Sequence, residues 1–494
     1  MARREVCDIV VLGAGFGGSL LSLIARTAGR RVVLMERGSH PRFAIGESST
    51  PLANLKLAAL AGRYGLTAIK PLCKYGPWKR TYPKVGCGLK RGFSFFRHRR
   101  GGPFEPDPNH TNELLVAANP DAEHGDTHWY RADFDTLLVE WAQAAGVIYV
   151  DRCDIEEIHR DKPWHLRGKC ADGPVEVTAP FLIDATGGSA PIAKTVGLRD
   201  LTRDMRTRTG GLYGHFRNVA LWSDVLVELG GSLNDHPYPC DAAALHHVID
   251  GGWMWVLRFD NGITSAGFSM DPDVYHEPEE PPTSDLWDVL LETYPSIGRQ
   301  FRDAAPVNPL VRVRRLQRRW SAAAGEDWAM LPHTAGFVDP WLSTGIAHTL
   351  FGIERLARVV TDGWAAPERP RMLAEYDRSI ARVFDLLDSL FAACMKSFDR
   401  FDILVSLTMA YFAAAIFSEE RIRAGLDTPD DYYLLAHDQN YRRIVAELCD
   451  AAAVAASAEA GELARRTADL LALYNSAGLC DPKVCNMYPF HGTL

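Results

Sequence analysis

The sequence predicts an α/β fold: a parallel sheet wound with helices, an antiparallel sheet inserted into it, and a C-terminal region that is mostly helical. Three observations carry this expectation. A strand–glycine loop–helix–strand unit opens the chain, residues 210–270 alternate apolar and polar, and helical periodicity runs almost unbroken after Arg371. With 494 residues the chain exceeds one ordinary domain. We expect a core over residues 1–370, with the inserted sheet at about 200–320, and a helical region over 371–494 that covers the substrate pocket.

Asp8-Ile9-Val10-Val11-Leu12 is a continuous apolar run, the pattern of a central parallel strand buried on both faces. Gly13-Ala14-Gly15-Phe16-Gly17-Gly18 follows, then a helix through Leu20–Ala28 and a second strand, Arg31-Val32-Val33-Leu34-Met35, ending at Glu36 and Arg37. Strand, GxGxxG, helix and acid in this order form a Rossmann-type dinucleotide unit. The glycines serve the tight turn, the approach of a pyrophosphate and helix–strand packing, and Glu36 is placed for the adenosine ribose. The expected cofactor is FAD. Only one GxGxxG is present, and Gly210-Gly211-Leu212-Tyr213-Gly214 does not supply a second, so reduced flavin is expected to come from elsewhere or NAD(P)H to bind transiently.

Residues 100–127 are rich in Pro, Gly, Asn and Asp and read as a surface excursion. Arg131 lies at the start of a helix that runs to Ala145. Phe181-Leu182-Ile183-Asp184 is another buried strand, ending in the small-residue turn Ala185-Thr186-Gly187-Gly188. Trp253-Met254-Trp255-Val256-Leu257 falls in the alternating region, where its indoles read as core or as a pocket wall.

Composition is that of an ordinary globular chain, 47% hydrophobic and 23% charged, and a net charge of −8 excludes a general nucleic-acid binder. Lys79, Arg80, Lys84, Lys90, Arg91, Arg97, Arg99 and Arg100 form a basic run without an acid, read as a solvated loop or as a docking face for an acidic partner or a flavin phosphate. The ten cysteines show no CxxC and no zinc spacing; read as scattered free thiols, they fit a cytoplasmic location. No metal site is expected. Met1-Ala2-Arg3-Arg4-Glu5 leads directly into a strand, without room for a signal peptide. The apolar run Ile403–Phe417 is shorter than the ~20 residues of a bilayer span and reads as a buried helix, so no membrane partner is expected.

Phe337-Val338-Asp339-Pro340-Trp341-Leu342-Ser343-Thr344-Gly345 bears on chemistry beyond cofactor binding. Asp339-Pro340 closes a turn, and Ser343-Thr344-Gly345 opens a helical run through His348. Unpaired N–H groups at a helix start attract an anion, and a glycine lets it approach the backbone. In a flavoprotein that anion is phosphate, superoxide or halide. His348, one turn inside, reads as a packed histidine.

These residues resemble the flavin-dependent halogenases, of the phenol-halogenating type of the pyoluteorin pathway. Phe337, Pro340, Ser343 and Gly345 match the family's FxxPxxSxG pattern, and Gly46-Glu47-Ser48-Ser49 resembles its GES-type turn beside the flavin. Trp253–Arg258 resembles its WxWxIP motif with Leu257 and Arg258 as departures. The resemblance spans roughly residues 6–400. It implies a glutathione-reductase-like flavoprotein monooxygenase fold, and an enzyme of secondary metabolism such as antibiotic biosynthesis. FAD, reduced by a separate flavin reductase, and O2 would oxidise chloride or bromide to hypohalous acid. Gly88–Phe95 looks like the segment of the essential lysine, which places the catalytic amine at Lys90 and a substrate-facing ring at Phe93. A desolvated amine either hydrogen-bonds the oxidant or forms a haloamine. The resemblance further implies flavin contacts from Gly13, Gly15, Phe16, Gly17, Gly18, Glu36, Arg37, Gly46, Glu47, Ser48, Ser49, Arg131 and Asp339, and a halide seat at Thr344 and Gly345. Leu342 stands where tryptophan halogenases carry a glutamate, which turns the expected substrate from indole to a free phenol, with Leu342 a substrate-side residue.

Two alternatives stay open: an aryl or pyrrolyl group tethered to an acyl-carrier protein, which the basic run would suit, and flavin-dependent aromatic hydroxylation. The hydroxylase reading lacks its Asp-Gly fingerprint, since Asp184 is followed by Ala185-Thr186-Gly187.

Overall fold

A computed structural model describes residues 3–275 and 283–492; Met1 and Ala2 of the N-terminal reading lie outside the described residues. At its centre a five-stranded parallel sheet runs in the order Trp328–Met330, Phe181–Asp184, Ile9–Leu12, Val32–Met35, Ile148–Val150. All three of the strands read from apolar runs are there, fully buried as such runs require. The first helix, Phe16–Thr27, starts immediately after the glycine loop, earlier than the apolar periodicity alone suggested. Two glycines make that start possible. Gly13 sits at φ +94°, with the Ala185 carbonyl oxygen 2.6 Å from where a Cβ would stand, and a Cβ on Gly18 would lie 2.0 Å from the Gly13 oxygen.

The second sheet contains the expected strands Gly210–Arg217, Ala244–Ile249, Gly252–Arg258 and Thr264–Met270, paired antiparallel. It reaches further than expected. Gly92–Arg97 adds parallel to Ala244–Ile249, Glu113–Ala117 adds next to it, and Met487–Tyr488 returns from the far C-terminus to extend the edge. The surface excursion over 100–127 is therefore only partly one: Glu113–Ala117 is a fully buried strand, and Asp126 begins another. The Pro and Gly content marks the turns between these strands and hid the short apolar run Leu114-Leu115-Val116.

A third sheet, not anticipated, is a meander of Cys153–Arg160, Trp164–Cys170 and Gly173–Ala179, with Arg3–Val6 parallel to its last strand. Its register corrects the reading of the cysteines as free thiols. Cys153 and Cys170 face each other across the ladder and form a disulfide, while Cys480 and Cys485 stay unpaired.

The C-terminal region is helical as expected, with long helices Arg369–Met395, Phe401–Arg423, Gln439–Val454 and Ala460–Leu471. The run Ile403–Phe417 lies within a helix of 23 residues, long and apolar enough to cross a membrane; 78% of its most apolar window is buried inside the protein. The burial supports the core-helix reading; the length exceeds it.

The basic run is neither a solvated loop nor a uniform docking face. Lys79 pairs with Asp260, Arg80 with Glu123, Arg97 with Asp250 and Arg99 with Glu105, while Lys90 is fully buried. Asp260, Glu123 and Asp250 come from distant parts of the chain, which local composition does not reveal.

Candidate active site

Lys90 ends the strand Cys87–Lys90, which pairs antiparallel with Asp126–Trp129 so that Lys90 faces Asp126 in register. This places an amine in the interior. Its Nζ donates to Ser48 Oγ at 2.9 Å, to the Ser49 carbonyl at 2.8 Å and to Ser343 Oγ at 3.3 Å, and it sits 3.8 Å from the centre of the Phe93 ring. Burial lowers the Lys90 pKa to about 7, with Asp126 opposing the shift. The amine is thus half neutral near pH 7, where an exposed lysine would be fully charged.

Three motifs distant in sequence converge on this nitrogen: the GES turn through Ser48 and Ser49, the strand bearing Lys90, and the Phe337–Gly345 stretch through Ser343. Ser343 Oγ also donates to Ser48 Oγ at 3.0 Å. The turn before the helix is strained. Leu342 and Ser343 both occupy the left-handed region, at φ 60° and 56°, a conformation costly for residues other than glycine. The helix Thr344–Val360 then begins, as read from sequence. Thr344 and Gly345 line a cavity of about 300 Å³ with His333, Phe337 and His348, and a Cβ on Gly345 would meet nothing within 4 Å. His348 is packed between Tyr433 and Phe384, and burial pushes its pKa down to about 3. Its Nε2 has no protein partner.

Phe93 lies on the wall of a second, larger cavity of about 830 Å³, lined mainly by apolar groups that include Leu52, Val116, Phe412 and Leu479. Helix Phe401–Arg423 and the C-terminal segment around Phe490 supply much of that wall.

The predicted flavin contacts divide into two sets. Gly13, Gly15, Gly17 and Gly18 form the loop at the sheet end with Phe16, and the Glu36 carboxylate accepts from Ala14 N and Gly38 N at 2.9 Å each. Burial opposes ionisation of Glu36; Arg42 and these two N–H groups outweigh it and hold its pKa low. Arg37 is exposed beside it. Arg131 packs over the Phe16 ring and clamps the GES turn, donating to the carbonyls of Ile45 and Gly46 at 3.0 Å each while Asp135 holds its other edge. The glycine loop, where Gly13 and Gly18 admit no Cβ, next to an acid held in place by backbone N–H groups, fits a dinucleotide.

Three side chains are turned elsewhere. Glu47 is bonded to His215 Nε2 at 2.8 Å and is buried, so its carboxylate braces the sheet instead of facing a cofactor. Both oxygens of Asp339 are consumed, by Trp253 Nε1 and Trp341 N on one and by Thr209 and Ser269 hydroxyls on the other. Asp339 therefore ties the motif to the antiparallel sheet, and burial raises its pKa to about 6. Leu342 is fully buried and lines neither cavity. Trp253 and Trp255 are core: Trp253 packs against His246 and Trp341.

Several groups carried no signal in the sequence. Asn54 and Asn119 fix Asp126 from both sides, at 2.6 and 3.0 Å. Glu419 joins the wall of the larger cavity. Among the described residues one set has the donor types of a metal site: His110 Nδ1 and His236 Nε2 both lie against Glu113 Oε2, at 3.2 and 3.1 Å.

No protein-family model matches the chain. Curated relatives do. The chain is 30% identical over 431 residues to the monodechloroaminopyrrolnitrin halogenase PrnC of Pseudomonas fluorescens, covering 84% of this chain and 72% of that protein. It is 29% identical over 455 residues to the tetracycline 7-halogenase of Kitasatospora aureofaciens, covering 88% and 78%. Its fold matches the halogenase PltM bound to FAD at a TM-score of 0.87, with 23% identity and 98% and 99% of the two chains covered. With Lys90, the strained turn and the glycine cradle arranged as described, the chain belongs to the flavin-dependent halogenases.

Proposed function

We propose that this halogenase acts on a free phenolic compound, with Lys90 carrying the oxidised halogen from the cofactor side to the substrate. The observation that carries the reading is the position of Lys90: fully buried, it touches Ser343, next to the Thr344–Gly345 cavity, and Phe93, on the wall of the other. FAD fits the glycine loop from Gly13 to Gly18, with Glu36 at the ribose and Arg131 fixing the GES turn. When bound in its reduced form, supplied by a separate flavin reductase, FAD and dioxygen provide the oxidising power that turns halide into hypohalous acid.

The protein's own groups then act in sequence. Backbone N–H groups of Thr344 and Gly345 hold the halide at the positive end of a 17-residue helix. The Lys90 amine receives the hypohalous acid by hydrogen bond or as a haloamine, which its half-neutral state allows. The apolar wall beyond Phe93 excludes water and orients one ring carbon toward the amine. Support for a phenol comes from the aromatic, largely uncharged lining of the cavity and from PltM, crystallised with phloroglucinol, itself a phenol; its fold matches at a TM-score of 0.86 and 23% identity over 97% and 98% of the chains.

A carrier-bound substrate is the second reading. One relative, 21% identical over 349 residues, is a 1H-pyrrole-2-carbonyl-[peptidyl-carrier protein] chlorinase. The basic run that would attract an acidic carrier is largely paired internally, which favours the free phenol.

The test is an incubation series with a generic flavin reductase, NADH, oxygen and each halide, against phenols, indoles and carrier-bound aryl groups, read by isotope pattern in mass spectra. Halogenated phenols are expected. Halogenation confined to the carrier-bound groups would overturn the reading.

A further inference from the structure

We propose that Glu419 is the proton acceptor for the substrate's phenolic hydroxyl, a role that rests on the phenol reading above. The helix Phe401–Arg423 turns one stripe to the larger cavity: Phe412, Ala415, Ile416, Glu419 and Arg423, at the spacing of one helical face. Phe412 lies at the inner end, its ring 5.3 Å from that of Phe93, which in turn sits against Lys90 Nζ. Glu419 lies seven residues further, about 10 Å along the axis. Two side chains reaching inward from these positions leave room for one aromatic ring between them, with a carbon toward Phe93 and Lys90 and a hydroxyl toward Glu419.

Glu419 is half-buried, on the cavity wall. The other acid of this wall, Glu420, is exposed, and Arg423 stands one turn beyond. Burial, with Asp126 nearby, pushes the Glu419 pKa up to about 8, so the ionised form that accepts a proton is the minor one at pH 7 and becomes the major one above pH 8. That brings its affinity for a proton close to that of a phenol, near 10 for tyrosine, so a proton passes between them at little cost.

The step balances. As the ring carbon bonds the halogen of the hypohalous acid held by the Lys90 amine, the oxygen–halogen bond breaks and the phenolic O–H proton moves to the Glu419 carboxylate. The ring then holds a neutral dienone instead of a cation. Hydroxide released from the hypohalous acid takes up a proton and leaves as water. The ring carbon loses its hydrogen to that same pool, aromaticity returns, and Glu419 gives its proton back to the oxygen. The sum is phenol plus hypohalous acid to halophenol plus water.

The test compares wild type and Glu419→Gln on two substrates of similar size: a phenol neutral at the assay pH, and a fluorinated phenol already ionised there. Glu419→Gln is expected to lose at least tenfold in kcat on the neutral phenol and to recover most of it on the ionised one; Glu419→Asp is expected to keep part of the activity on the neutral phenol. Equal losses on both substrates, or no loss on the neutral one, would overturn the proposal. Wild type that leaves every phenol unhalogenated while modifying a carrier-bound group would overturn the phenol reading, and this role with it.

Discussion

The two cavities on either side of Lys90 are made of different materials. The one beside Thr344 and Gly345 is small and is lined by the start of a helix and by two histidines, His333 and His348, the latter buried with its pKa held down. The one beyond Phe93 is nearly three times larger and presents rings and aliphatic chains, with Glu419 as its half-buried acid. Backbone amides cannot be changed by side-chain substitution, so an anion seat built from them tolerates sequence drift. An apolar pocket is defined wholly by side chains, so it is where members of one family diverge in substrate. On the proposed reading, the halide seat rests on backbone groups, and selectivity among substrates rests on the side chains of helix Phe401–Arg423.

That contrast can be broken from each side. The largest effect is expected from Gly345→Val. A Cβ there meets nothing within 4 Å and Gly345 lines the small cavity, so the fold is expected to survive while the branched side chain displaces the halide. Halogenation should fall by about 100-fold, the scale of losing a donor to a buried anion, while phenol binding measured by fluorescence quenching stays intact. A loss of phenol binding would merge the two cavities into one. On the opposite side, Ala415→Phe narrows the larger cavity. KM for a two-ring phenol should rise about tenfold or more, with the KM for halide unchanged.

Ser343→Ala probes the junction. It removes one acceptor from the Lys90 amine, which costs about 1 kcal/mol, or roughly fivefold in rate. Losing an acceptor disfavours the ammonium, so the rising limb of the pH–rate profile, expected near pH 7, should move to lower pH.

The smallest effect concerns stability. A buried lysine whose pKa is lowered binds its proton more weakly folded than unfolded, so the folded state gains stability as pH rises from about 7 to the unfolded value and loses it as pH falls back. Lys90→Met removes that liability. Its melting temperature should equal or exceed wild type at pH 6.5, and the advantage should shrink steadily toward pH 10.

Much of this was legible in the chain. The strand, glycine loop and Glu36 specify the dinucleotide unit because they follow one another in the chain and the Glu36 carboxylate bonds back to Ala14 N within the same unit. Lys90 and the Phe337–Gly345 stretch were legible as motifs, yet their meeting was not: Ser343 reaches Lys90 across 253 residues, and nothing local encodes that distance. The same limit explains the misreadings. Asp339 and Glu47 looked like cofactor ligands because their motifs resemble the family's flavin-side segments, but buried carboxylates must be satisfied, and Thr209, Ser269 and His215 satisfy them. Cys153 and Cys170 looked unrelated until strand register placed them opposite. Glu419 carries no signal in the sequence, where it is one of two adjacent acids in Glu419-Glu420-Arg421; only the fold turns the first of them inward.

The central claim is that one buried amine transfers the halogen between the two cavities. The direct measurement is Lys90→Ala, assayed together for halogenated phenol and for hypohalous acid caught by an added diffusible scavenger. The account predicts loss of the halogenated phenol with halide-dependent oxidation of the scavenger persisting. Halogenation of the phenol by Lys90→Ala at a rate near wild type would contradict it.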